Sequence, residues 1–102
     1  MKDLKLLTID DMRTISGTHQ VRTYEDGIEA LRKEEWDILY LDHDLGCFDD
    51  NGREYTGYDI LCWLESNQQY LPKRIELLTS NPVGRKRMNV VILKLYGRLW
   101  YG

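Results

Sequence analysis

The stretch Asp37-Ile38-Leu39-Tyr40-Leu41-Asp42 restricts the fold more than any other part of this chain. Its apolar run is too short for a buried helix and too continuous for a strand with one wet face. It reads as a central parallel strand covered on both faces. Parallel strands need crossover connections, so helices are expected to alternate with strands along the chain. Leu4 to Ile9 is a second apolar strand, closed by the acidic pair Asp10-Asp11, and Gln20 to Tyr24 is a third. Between them, Met12 to Gln20 is polar and broken by Gly17, which allows a loop or at most one helical turn. Thr23 and Asp26 have capping-box-like spacing before a helix with Ile28, Ala30 and Leu31 on its inner face. Thr56 and Asp59 repeat that spacing before a helix carrying Ile60, Leu61 and Leu64 inward. Arg74 to Thr79 reads as a fourth strand. Pro82 opens a last helix with Met88, Val91, Ile92 and Leu95 on one stripe, and Gly97 is expected to end it. Arg98 to Tyr101 is then a frayed tail or a short final strand. His43 to Tyr55 is left as a long polar loop, the kind of segment that often carries function.

Composition narrows the class. With 102 residues, 42% hydrophobic and 30% charged, the chain is expected to form one globular domain over 1–102. A net charge of −3 excludes a broadly basic nucleic-acid clamp. Cys47 and Cys62 have no metal-ligand spacing, and no signal peptide or membrane-length apolar run is present, so a reduced, cytoplasmic protein is expected.

In open parallel sheets, ligands gather beyond the carboxyl ends of the strands. That rule places Asp10, Asp11, Asp42 and Thr79 on one rim. Carboxylates converging from separate strands repel one another unless a cation lies between them, and hard oxygen ligands suit Mg²⁺ or Mn²⁺. The plainer reading is that each aspartate caps the segment that follows it. Ser80-Asn81-Pro82-Val83-Gly84 lies at a strand-to-helix turn, where free backbone N–H groups bind phosphate well. Arg85, Lys86 and Arg87 follow directly and oppose the helix dipole, a cost that an anionic ligand would offset. An ordinary solvated basic face explains the same residues. His43, between Asp42 and Asp44, is placed to act as a general acid or base, or else packs structurally. His19 lies in a polar loop and has no expected role. Asp49-Asp50-Asn51-Gly52 hints at a calcium loop, but Cys47 and Tyr58 fill two of its ligand positions.

The chain resembles response-regulator receiver domains in Asp10-Asp11, in Gly27-Ile28-Glu29-Ala30-Leu31, in Trp36 to Asp42 and in Leu77-Leu78-Thr79-Ser80. It departs from them by a span from Asp11 to Asp42 that is about one helix short and by a longer loop after Asp42. The lysine that receivers carry on a fifth strand has no counterpart before Gly102. A closer resemblance is to the cyclic-phosphate processing receiver domains. It rests on Arg22-Thr23-Tyr24, Leu41-Asp42-His43-Asp44-Leu45-Gly46, Thr56-Gly57-Tyr58-Asp59 and Asn81-Pro82-Val83-Gly84 with Met88. The His-Ser pair frequent in that group is Leu78-Thr79 here, which leaves His43 as the histidine near the site.

The resemblance implies a compact receiver-like (flavodoxin-like) α/β three-layer sandwich. Its parallel sheet would have four or five strands in order 2-1-3-4(-5), with the first helix shortened or missing. It implies a phosphohydrolase dependent on Mg²⁺ or Mn²⁺ that acts on cyclic phosphate, at 2′,3′-cyclic phosphate RNA ends or on cyclic nucleotides, in RNA repair or phage–host conflict. Asp10, Asp11 and Asp42 would hold the metal. Asp42, His43, Asp44 and Thr79 would be catalytic, either through covalent attack by Asp42 or through water activated by His43 and Asp44. Ser80, Asn81, Gly84 and Arg85 would bind phosphate. The competing reading is a non-catalytic degenerate receiver that binds a nucleotide or, through Trp100 and Tyr101, a protein partner.

Overall fold

The computed structural model describes residues 4–101, except the side chains of 98–101. Along the described chain run β1 (Leu6–Ile9), β2 (His19–Val21), α1 (Tyr24–Lys33), β3 (Ile38–Leu41), β4 (Asp44–Phe48), β5 (Glu54–Thr56), α2 (Gly57–Ser66), a 3-10 turn (Gln68–Tyr70), β6 (Arg74–Leu77) and α3 (Pro82–Tyr101). The main sheet has the order β2-β1-β3-β6, and every pairing in it is parallel. Counted within that sheet the order is 2-1-3-4, the receiver-like arrangement that the sequence predicts. No helix follows β1, also as predicted, because residues 10–18 lack the apolar periodicity to build one.

The core forms where strand and helix periods meet. Leu7, Ile9, Leu39, Leu41 and Ile75 point from one face of the sheet toward Ala30 and Leu31 of α1, Ile60, Leu61 and Leu64 of α2, and Met88 and Val91 of α3. Each fully buried leucine contributes about 1.5–3 kcal/mol through removal from water. Thr23 starts α1 by accepting the Asp26 N–H at 3.1 Å, and Asp59 starts α2 by accepting the Thr56 N–H at 2.8 Å. Both caps are where the sequence places them.

Three expectations are corrected. The helices lie on one face of the sheet rather than on both. The crossovers through α1 and α2 step the same way across the sheet, and right-handed connections of that kind fall on one side. On the opposite face Ile38 and Tyr40 are only partly buried, whereas Thr8 is covered and bonds to Thr18 at 2.8 Å. The missing first helix is the physical reason.

The second correction concerns the polar loop after Asp42, which contains an antiparallel hairpin, β4-β5. Its turn is built by Asp49, whose Oδ1 accepts the N–H groups of Asn51 and Arg53, each at 2.9 Å. A register shift between Asp44 and Cys47, with Gly46 at φ +66°, breaks the alternation that would have marked a strand. The hairpin is fastened by Tyr55 stacked on Tyr24 at 4.1 Å and by Arg53 paired with Asp59 at 2.8 Å.

The third correction is at Gly97, which does not end α3. It is absent from the glycines with positive φ, so it does not form a left-handed cap, and the helix continues to Tyr101. The proposed terminal strand therefore does not form over Arg98–Tyr101.

Gly97 tests this arrangement. A methyl group built there meets nothing within 4 Å. Gly97→Ala is expected to stabilise the protein by about 0.5–1 kcal/mol in chemical denaturation, as in any helix interior. A left-handed cap at Gly97 would give the opposite sign.

Candidate functional site

Asp10 and Asp42 leave adjacent parallel strands immediately after the Ile9–Leu41 pair, so the sheet register itself brings them side by side. With Asp11 they form a group whose carboxylate oxygens lie within 4.8 Å of one another. Asp10 is 1% exposed. Its Oδ1 accepts the N–H groups of Met12 and Arg13, each at 2.9 Å, while its Oδ2 is buried with no hydrogen-bond partner among the described residues. A buried carboxylate oxygen left without a donor is costly, and its neighbours here are two further carboxylates. Oxygen donors at this spacing suit a hard divalent cation.

Asp42 carries the mark of this crowding. Its carboxyl is held above the ordinary carboxylate range, mainly by burial and further by the charge of Asp10. The His43 N–H, donated to Asp42 Oδ1 at 2.8 Å, works in the other direction.

Close backbone approaches build the walls of the site. A methyl group on Gly46 would come within 2.6 Å of Asp11 Oδ2, so the β4 backbone lies directly against that carboxylate. A methyl group on Gly57 would overlap the Asp42 carbonyl oxygen and press on the Met88 side chain. The Gly57 N–H donates to the His43 carbonyl at 2.7 Å, which seats the start of α2 against the end of β3. The His43 ring packs on Gly84, where a methyl group would lie 2.6 Å from it, and its Nδ1 meets Asp44 Oδ1 at 3.0 Å. Thr79, 4% exposed, lies two residues past the end of β6, and its Oγ1 accepts the Asn81 N–H at 3.1 Å.

The structure thus brings Asp10, Asp11 and Asp42 into one cluster and joins His43 to Asp44. The phosphate segment differs from expectation. Asn81 Oδ1 accepts the N–H groups of both Val83 and Gly84 at 3.1 Å, and the Arg85 N–H bonds the Asn81 carbonyl at 2.9 Å. The amides expected to be free are therefore capped by the chain's own side chain. Arg85 Nη1 donates to the Thr79 carbonyl at 3.2 Å, and Arg87 sits 4.5 Å over the Tyr58 ring, so both cations have internal partners. Ser80 is exposed. His19, at the start of β2, stacks on Trp36 at 5.7 Å. The side chains of Trp100 and Tyr101 lie outside the described residues.

Sequence reasoning missed the parts that act through backbone. Gly46 and Gly57 matter because chain passes against them, and Arg13 and Arg22 matter because they bond carbonyl oxygens. For Gly46, Gly57 and Arg22 the available signal was their place in the blocks Leu41 to Gly46, Thr56 to Asp59 and Arg22 to Tyr24, whereas Arg13 lies in none of them.

A parallel sheet in this order, with acidic residues clustered after its first and third strands, defines a receiver-like α/β domain. Within that class, the chain belongs to the family of cyclic-phosphate processing receiver domains, whose profile matches residues 5–94. No match to a curated protein accompanies it. Among the described residues, no helix is long and apolar enough to cross a membrane.

Two measurements check the geometry. Asn81→Ala removes the cap of α3 and is expected to cost about 0.5–2 kcal/mol in phosphate-free buffer, read by urea denaturation. Asp42→Asn is expected to raise the melting temperature in EDTA at neutral pH. A carboxyl whose folded pKa is raised lowers stability as pH climbs from its unfolded to its folded value. The gain from Asp42→Asn should therefore vanish below about pH 4, where the wild-type carboxyl is protonated in both states.

Proposed function

We propose that this domain is a divalent-metal-dependent phosphohydrolase that opens cyclic phosphates, at 2′,3′-cyclic phosphate RNA ends or on cyclic nucleotides. The observation that carries this reading is the buried Asp10 Oδ2, without a hydrogen-bond partner among the described residues, on a member of a cluster of three carboxylates. The family match supports cyclic phosphate as the substrate class.

Asp10, Asp11 and Asp42 would hold Mg²⁺ or Mn²⁺. When bound there, the ion would offset the carboxylate charge and polarise a phosphoryl oxygen. The remaining work falls to the chain itself. A water oxygen bonds to phosphorus, one ribose–oxygen bond to phosphorus breaks, and the departing oxygen gains a proton, leaving a phosphate monoester. His43 is the proton carrier in this reading, and Asp44 engages its Nδ1 and fixes the ring. The Thr79 hydroxyl and the Arg85 guanidinium bind the phosphate oxygens. A phosphate entering at the start of α3 competes with Asn81 Oδ1 for the Val83 and Gly84 N–H groups. RNA repair or phage–host conflict is the setting in which such ends arise.

The test is hydrolysis of a 2′,3′-cyclic mononucleotide by the purified protein with Mn²⁺. Turnover is expected, with His43→Ala slowing it by about 10²–10⁴-fold and Asp42→Asn removing it. Tight binding without turnover would assign a binding module instead, and turnover unchanged in Asp42→Asn would contradict the assignment of the site.

A further inference from the structure

We infer that Arg22 is a positioning residue that sets the acidic pair Asp10-Asp11 for cation binding. The inference rests on the reading of the carboxylate cluster as a divalent-metal site. In the absence of a helix after β1, the carbonyl groups of Asp10 and Asp11 have no helical amides to bond. Arg22 takes that place. Its Nη1 donates to the Asp10 carbonyl at 3.4 Å and to the Asp11 carbonyl at 3.2 Å, and its Nη2 donates to Thr14 Oγ1 at 3.0 Å. One planar guanidinium therefore ties three acceptors of a single loop to the junction between β2 and α1.

The neighbours of Arg22 reinforce the same loop. Gln20 Nε2 donates to the Asp10 carbonyl at 3.2 Å, and Gln20 Oε1 accepts the Ile15 N–H at 3.3 Å. The Asp10 N–H bonds the Val21 carbonyl at 3.2 Å. Arg13 reaches across to the Leu78 carbonyl beyond β6. Of these contacts, only those of Arg22 hold the Asp11 carbonyl. Asp11 lies one residue further from the end of β1 than Asp10, so its orientation depends on this loop. The fork of a guanidinium is what the geometry uses, and a lysine ammonium presents one point charge in its place.

Supporting groups around metal ligands typically change metal affinity by 10–100-fold when removed. Mn²⁺ affinity, measured by calorimetry on the full chain, tests the inference together with melting in EDTA. Arg22→Gln is expected to bind Mn²⁺ about 10–100-fold more weakly, with a melting temperature in EDTA close to that of the wild type. Arg22→Lys is expected to fall between the two. A purely structural role would lower the melting temperature and leave the affinity of the folded fraction unchanged. Affinity within threefold of wild type in a folded Arg22→Gln variant would overturn the inference while leaving the metal site standing. A wild-type protein that binds no Mn²⁺ would overturn both. If Arg22→Gln does not fold, Arg22→Lys decides the matter alone: wild-type affinity overturns the positioning role, and a loss beyond threefold supports it.

Discussion

Mutual repulsion among three carboxylates is the constraint around which this small domain is arranged. Parallel pairing of β1 with β3 fixes Asp10 beside Asp42, and neither backbone position can move away without breaking the register of the central strands. Burial then makes the arrangement more costly, because Asp10 is almost inaccessible and Asp42 is pushed toward its protonated form. Folding forces like charges together, and one buried oxygen among them has no donor among the described residues. In the proposed reading, a divalent cation held by the three carboxylates would offset this cost.

The rest of the structure holds that rim in place with unusually close backbone contacts. Gly57 lets α2 begin directly against the end of β3, and Gly84 lets the first turn of α3 rest on the His43 ring. Gly46 lets the β4-β5 hairpin lie against Asp11. The three contacts bring the hairpin and two helix starts to the same end of the sheet. The helices share one face, so the domain achieves this with two layers, and the loop after β1 takes its support from side chains of the neighbouring strand.

Much of this was legible in the sequence, for identifiable physical reasons. The strands β1, β3 and β6 announce themselves because apolar runs end at polar residues, and both helix caps follow short-range rules that need no tertiary knowledge. Asp10, Asp11 and Asp42 were readable because strand ends in a parallel sheet must converge on one rim. The hairpin was hidden by its register shift, which removes the period of two on which strand recognition depends. Gly97 misled because glycine near the end of an apolar stripe usually marks a cap, whereas here α3 runs through it. The Asn81 cap was hidden in a different way. Asn81 was rightly placed at the helix start, but sequence alone does not show whether an asparagine faces a ligand or its own backbone. Arg22 bonds carbonyl groups, which leave no trace in residue identity.

The most direct test is where a metal ion sits in a crystal of the protein grown with Mn²⁺, located by its anomalous scattering. One peak is expected among Asp10, Asp11 and Asp42, with Asp10 Oδ2 and oxygens of the other two carboxylates about 2.1 Å away. A crystal grown with millimolar Mn²⁺ that shows no peak there, and in which Asp10 Oδ2 instead accepts a hydrogen bond from the protein, would contradict it.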